Sequence, residues 1–259
     1  MITLKTITTI ELTNLCNLKC RYCVNRLLVK HPARELGIMS DEVFERALFW
    51  LGILCRRGTQ KEIWMNGLGE SCLDPQLFER IRKAKDIMGD RQVGLCTNGV
   101  NMTYEMAKGL KDTGLDQLDI SPHSAFHTRR AVSFIVKAGW GNTDSVINTG
   151  IFNGTHNWCD QLEPENQVET PLTDMGVICD PLVEGRGYIW KEGGLTPCCY
   201  DYRFLGKFGT VFDEDLLSKP IKPFKLCEKC HQRIPEKIIA EYNRENPDNP
   251  IYMIGGVNE

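Results

Sequence analysis

Short apolar, β-branched runs alternate with segments of helical period through the first 140 residues, and that rhythm leaves few folds open. Strand-like runs fall at 6–12 (TITTIEL), 62–65 (EIWM), 92–96 (QVGLC) and 117–121 (QLDIS). Helical patterns fill the gaps from Ser40 to Cys55, from about 76 to 88, from Tyr104 to Thr113 and from about 129 to 138, and a further strand is expected at 145–151. Ser40, followed by Asp41 and Glu42, supplies a cap and two acidic groups for a helix start, and Gly114 supplies a left-handed stop. Single strands separated by single helices build a parallel sheet. In such a barrel the loops after the strands all emerge at one end, so residues far apart in sequence meet at one mouth. The expected fold class is therefore α/β, a partial, open TIM-like (βα) barrel.

Composition narrows the setting. The 259 residues, 42% of them hydrophobic, suffice for one substantial core with a small appendage. No basic stretch leads into a long apolar run at the N-terminus, and no uninterrupted apolar stretch spans a bilayer, so a cytoplasmic protein with no membrane partner is expected. A formal net charge of -3 offers no field for a polyanion, which argues against nucleic acid, and Arg56-Arg57 reads as a solvated helix end. Twelve cysteines would mark a disulfide framework in a small secreted protein; here they cluster at metal-ligand spacings in a larger chain without a signal peptide.

Three of them, Cys16, Cys20 and Cys23, form C-x3-C-x2-C directly after the first strand. Three thiolates on a [4Fe-4S] cluster leave one iron open to a substrate or cosubstrate. The competing reading, a fragment of a zinc knuckle, needs a fourth ligand at C-x2-C or H-x3-5-H spacing, and the nearby His31 sits in a polar stretch before Pro32.

The triad, the Tyr22 between its last two cysteines and the strand before it resemble the radical S-adenosylmethionine (SAM) superfamily. That resemblance implies a SAM-binding [4Fe-4S] cluster on Cys16, Cys20 and Cys23, reductive cleavage of SAM to methionine and a 5'-deoxyadenosyl radical, and hydrogen-atom abstraction from a substrate. It also implies an electron donor such as flavodoxin or ferredoxin. The segment NGLGE at 66–70 is similar to the family's glycine-rich loop for the SAM amino group, with Ser71 where proline is usual. Glycines there let backbone carbonyls approach an ammonium without a Cβ in the way. By the same resemblance Tyr22, Gly67, Gly69, Glu70, Asn98, Ser121 and Arg129 are candidate SAM-binding residues. Thr97-Asn98-Gly99 reads equally as an ordinary turn, and Ser121 either bonds a ribose oxygen or caps the next turn. Arg129 or Arg130 is a candidate partner for the SAM carboxylate; His123 and His127 are candidate proton carriers or solvated loop residues.

Past residue 155 the rhythm stops, and Cys179, Cys198, Cys227 and Cys230 appear in a new arrangement that ends in the C-x2-C chelate CEKC. YIW, a Gly193-Gly194 turn and LTPCCYD read as a β-hairpin that brings Cys198 beside Cys179. Four protein thiolates would close a site for electron transfer or for structure, and zinc takes the same ligands. HNW at 156–158, PCCYD and CEKC resemble the twitch domain, the shortened relative of the SPASM domain, over residues 156–231. The resemblance implies an auxiliary [4Fe-4S] cluster on Cys179, Cys198, Cys227 and Cys230, with Cys199 as the alternative to Cys198. Two domains are thus expected, 1–155 and 156–259.

Cys55, Cys72, Cys96, Cys159 and Cys199 are left as small buried hydrophobes. Cys72 and Cys96 at the mouth and Cys159 at the junction are also candidate hydrogen-atom donors. The layout resembles 2-deoxy-scyllo-inosamine dehydrogenases, and more distantly anaerobic sulfatase-maturating enzymes, which implies an oxidoreductase performing two-electron oxidation. No leader-recognition segment is visible before the barrel, so the expected substrate is a small molecule or short peptide. A peptide maturase or epimerase with a cysteine donor is the rival enzyme, and a zinc-stabilised binding module is the rival without catalysis.

Overall fold

A computed structural model describes residues 1–21, 23–28, 34–121, 123–141, 179–229 and 244. Tyr22, Cys159, Cys230, the HNW segment and the strand expected at 145–151 lie outside the described residues.

The βα alternation is realised as β1 (Thr6–Ile10), α1 (Asn25–Leu28), α2 (Asp41–Arg56), β2 (Glu62–Trp64), α3 (Leu77–Met88), β3 (Gln92–Thr97), α4 (Tyr104–Asp112), β4 (Gln117–Ile120) and α5 (Ala125–Lys137). α6 (Asp180–Val183), β5 (Arg186–Ile189), β6 (Gly194–Thr196) and β7 (Gly209–Thr210) follow. The strands form one sheet in the order β4-β3-β2-β1-β5-β6-β7, with β1 to β5 mutually parallel and β6 antiparallel to both neighbours. Among the described residues the sheet is open, a partial (βα) barrel.

Alternation along the strands decides which face is core. Leu118 and Ile120 of β4 are fully buried while Gln117 and Asp119 are half-buried, and Val93 and Leu95 of β3 lie on the same helix-covered side. Against them pack Phe44, Ala47 and Leu51 of α2, Ile81 and Ala84 of α3, Ala107 and Leu110 of α4, and Ala131 and Ile135 of α5. α2 begins where the capping signal places it, with the Ser40 hydroxyl accepting from Val43 N at 3.3 Å.

α5 begins at Ala125 rather than near 129. Ser124 is already extended (φ -153, ψ 127), so the chain enters the helix directly from the loop after β4. A second departure concerns the C-terminal hairpin: β5 pairs in parallel with β1, Thr6 opposite Arg186 and Ile10 opposite Ile189, so the hairpin extends the barrel sheet. Its turn, Trp190 to Gly193, closes with Gly193 N donating to Trp190 O at 2.7 Å. α2 holds the residue after β7 through Trp50 Nε1, which donates to Val211 O at 2.8 Å.

Candidate active site

The ends of β1, β2, β3 and β4 converge on a cavity of about 310 Å³. Cys16, Cys20, Cys23 and Arg26 line it from the β1 side, and Asn66, Gly67, Gly69 and Glu70 come from the loop after β2. Cys96, Thr97 and Asn98 end β3, and Ser121 and His123 follow β4.

Hydrogen bonds bolt the loops together. Glu70 N donates to Leu15 O at 2.7 Å, Asn98 Nδ2 to Asn17 Oδ1 at 2.7 Å, and Asn25 Nδ2 to both Asn14 O at 2.8 Å and Leu68 O at 2.9 Å. Gly67 and Gly69 also meet a steric demand inside the chain. A Cβ on Gly67 would sit 2.5 Å from Glu11 Cγ, and one on Gly69 would sit 2.2 Å from Thr13 O. These glycines let the loop lie flat against the end of β1 and the base of the cysteine loop. The buried Ser71 hydroxyl ties the loop back to the end of β2, donating to Met65 O at 2.8 Å.

Glu70 is buried and acts first as a brace. Oε1 accepts from Cys72 N at 3.1 Å and from Thr97 Oγ1 at 2.7 Å, and Oε2 accepts from Asn98 N at 2.7 Å. One carboxylate thereby joins the β2 and β3 loops, and Glu70 is also part of the cavity wall.

The three thiols of the triad meet backbone amides or a ring nitrogen. Cys16 Sγ accepts from Leu18 N and Cys23 Sγ from Asn25 N, each at 3.4 Å, and His123 Nδ1 lies 3.8 Å from Cys20 Sγ. Burial raises the Cys16 thiol above its usual range and pushes Cys23 up to about 11, while burial lowers His123. Cys96 also faces the cavity, 3.2 Å from Ser121 Oγ, and burial pushes it up to about 11.

The model of the radical SAM superfamily matches residues 10–149, more than half of the chain. The chain belongs to the radical SAM superfamily. It is 32% identical to the GTP 3',8-cyclase of Aquifex aeolicus over 117 residues, 44% of this chain and 34% of that protein. It is 29% identical over 117 residues to the tungsten-containing aldehyde ferredoxin oxidoreductase cofactor-modifying protein of Pyrococcus furiosus, 44% of this chain and 30% of that protein. It thus spans about a third of the length of these curated relatives. Among solved structures, BtrN in complex with AdoMet and 2-DOIA superposes with a TM-score of 0.63 at 16% identity, over 92% of this chain and 89% of that one. Native anSMEcpe with bound AdoMet and Cp18Cys peptide superposes with a TM-score of 0.50 at 15% identity, over 80% of this chain and 78% of that one. At these identities the likeness is one of fold.

Membership of the radical SAM superfamily implies SAM and a [4Fe-4S] cluster, and the donor set fits them. Three free thiols share the wall of one cavity. Asn66 Oδ1, in the same wall, is buried without a hydrogen-bond partner among the described residues, an acceptor suited to an ammonium. The NGLGE pattern alone does not mark Asn66 as a site residue, and no motif in the sequence marks Arg26. The arginine in the wall is Arg26, three residues past the last triad cysteine on α1. Arg129, expected at the site, is exposed on α5, and Arg130 donates to Val100 O; the early start of α5 turns both onto its outer side.

Cys198 follows β6, and both Cys198 and Cys227 pack against Phe224 and Leu226; Cys227 also packs against the main core, as does Cys179, which lies just before α6. Burial first and the neighbouring Cys199 second raise the Tyr188 hydroxyl above its usual range.

Proposed function

We propose that this chain binds SAM in the cavity at the strand ends and abstracts a hydrogen atom from a small polar substrate, oxidising it by two electrons. A cluster held by Cys16, Cys20 and Cys23 would supply one electron to the sulfonium of bound SAM, releasing methionine and a 5'-deoxyadenosyl radical. The observation that carries the reading is the meeting of three thiols with an unsatisfied acceptor, Asn66 Oδ1, in one wall.

Each wall residue has a part. Asn66 Oδ1 and the carboxylate of Glu70 accept from the SAM ammonium. Arg26 pairs with the SAM carboxylate. Asn98 and Ser121 offer polar groups to the ribose, and the raised pKa of Cys96 keeps its thiol neutral beside them. Backbone donors to Cys16 and Cys23 stabilise thiolate charge and tune the potential of a cluster held there.

Cys198 and Cys227, sharing one apolar wall, support an auxiliary site completed by Cys179 and Cys230 that would accept the second electron. Cys198, which shares the Phe224 and Leu226 wall with Cys227, is the ligand in this reading. An electron donor of the flavodoxin or ferredoxin class would reduce the SAM-binding cluster.

Two measurements test the reading. Anaerobic iron, sulfide and zinc analysis separates a cluster protein, expected at about eight irons for two [4Fe-4S] centres, from a zinc module. For any compound that raises 5'-deoxyadenosine formation, product analysis in deuterated water separates oxidation, which leaves no solvent deuterium on carbon, from epimerisation through an exchangeable thiol. Zinc without iron contradicts the enzyme reading, and deuterium incorporation contradicts the oxidation.

A further inference from the structure

One carboxylate lies beneath the loop after β2 and outside the cavity wall. Glu11, just past β1, is 1% exposed, an expensive place for a charge unless every lone pair is used. Its Oε1 accepts from Leu68 N at 3.0 Å, the central amide of NGLGE. Its Oε2 accepts from Lys191 N at 3.1 Å, in the turn of the C-terminal hairpin, and from Arg34 Nη2. The stem of the same side chain occupies the space that a Cβ on Gly67 would need.

Arg34, also fully buried, belongs as much to the hairpin as to the barrel. Its Nε and Nη2 donate to Glu192 Oε2 at 3.2 Å and 3.0 Å, and its guanidinium carbon lies 4.8 Å from the Trp190 ring centroid and 5.1 Å from that of Phe204. Such a bidentate, stacked guanidinium has little freedom. A displacement of the hairpin turn would therefore reach Leu68 through two side chains.

We propose that Glu11 is a positioning residue for the loop that binds SAM, and that Arg34 makes the C-terminal hairpin part of the same support. Asn66 is two residues from Leu68, so the amide that Glu11 holds sets where the Asn66 carbonyl points. The inference rests on reading residues 66–70 as the SAM loop. It adds that the hairpin carrying Cys198 contributes to SAM affinity without touching the cavity.

The test is SAM binding by equilibrium dialysis to anaerobically reconstituted protein. In Glu11→Gln the carboxamide cannot accept at both ends, so iron content should stay at the wild-type value while the Kd for SAM rises about tenfold, the loss of one hydrogen bond to a charged group. Asn66→Ala should also raise it. The double variant should fall short of the product of the two effects, because Glu11 acts through the loop that carries Asn66, whereas a general loss of structure would leave them multiplicative. Glu192→Gln, at the half-buried rim of the network, should load iron normally and raise the Kd severalfold; it carries the test if Glu11→Gln does not assemble a cluster. An unchanged Kd in Glu11→Gln with Asn66→Ala impaired, or full multiplicativity, overturns the positioning role and leaves the SAM-loop reading standing. A wild-type Kd in Glu192→Gln overturns the part given to Arg34. If neither Asn66→Ala nor Glu11→Gln changes the Kd, the SAM-loop reading itself fails.

Discussion

Arginines and cysteines separate by where the backbone carries them. Arg26 lies in the cavity wall and Arg129 on the exposed side of α5, so Arg26→Ala should weaken SAM binding about tenfold, the scale of one charge-assisted hydrogen bond, while Arg129→Ala should leave it within twofold. Equilibrium dialysis of the reconstituted variants checks both. Cys198→Ala should lose an auxiliary cluster and product formation yet keep reductive SAM cleavage, because the wall of the SAM cavity is untouched. Cys199→Ala should keep both clusters. Iron content and electron paramagnetic resonance read the outcome, and loss of iron from Cys199→Ala would shift the ligand by one residue.

At the scale of elements, local chemistry was legible and pairing across distance was not. Ser40 capping α2, the periodic apolar residues of α3 and the ends of β3 and β4 follow from side chains within a few residues of one another. The cysteine triad and NGLGE were legible for the same reason, each being a short run at a strand end. Glu11, Arg34 and Glu192 meet across more than 150 residues, and nothing local marks them as partners. The same holds for β5, whose parallel place beside β1 depends on residues 180 positions apart. Gly67 and Gly69 were visible as glycines, but their reason, contact with Glu11 and Thr13, needed the fold.

The segment after the hairpin adds a pH dependence. Asp201 is fully buried, and burial pushes its carboxyl up to about 6 against the pull of Gly206 N, Leu205 N and Arg34. A native carboxyl that holds its proton to higher pH than the unfolded one stabilises most at low pH, and that contribution is lost as pH rises through about 6. The loss is roughly 2–3 kcal/mol across the window from about 4 to about 6. Urea unfolding between pH 5 and pH 7.5 should show the wild type losing stability as pH rises to about 6 and then levelling, and Asp201→Asn should flatten that slope. A slope unchanged by the substitution would assign it to another group.

At the scale of the whole molecule, one open sheet carries the cavity at the ends of β1 to β4, with Cys198 and Cys227 beyond β6. No helix among the described residues is long and apolar enough to cross a membrane. β1 is the shared member: its end bears the triad loop, its backbone pairs with β2 and β5, and Glu11 just beyond it joins the loop after β2 to the hairpin turn. Anaerobic protein with its clusters reconstituted, given SAM and a strong reductant, should form 5'-deoxyadenosine and methionine in equal amounts by chromatography, and the variant with Cys16, Cys20 and Cys23 all changed to Ala should form neither. Cluster-loaded wild-type protein that yields no 5'-deoxyadenosine, or a triple variant that yields as much as the wild type, would contradict the account.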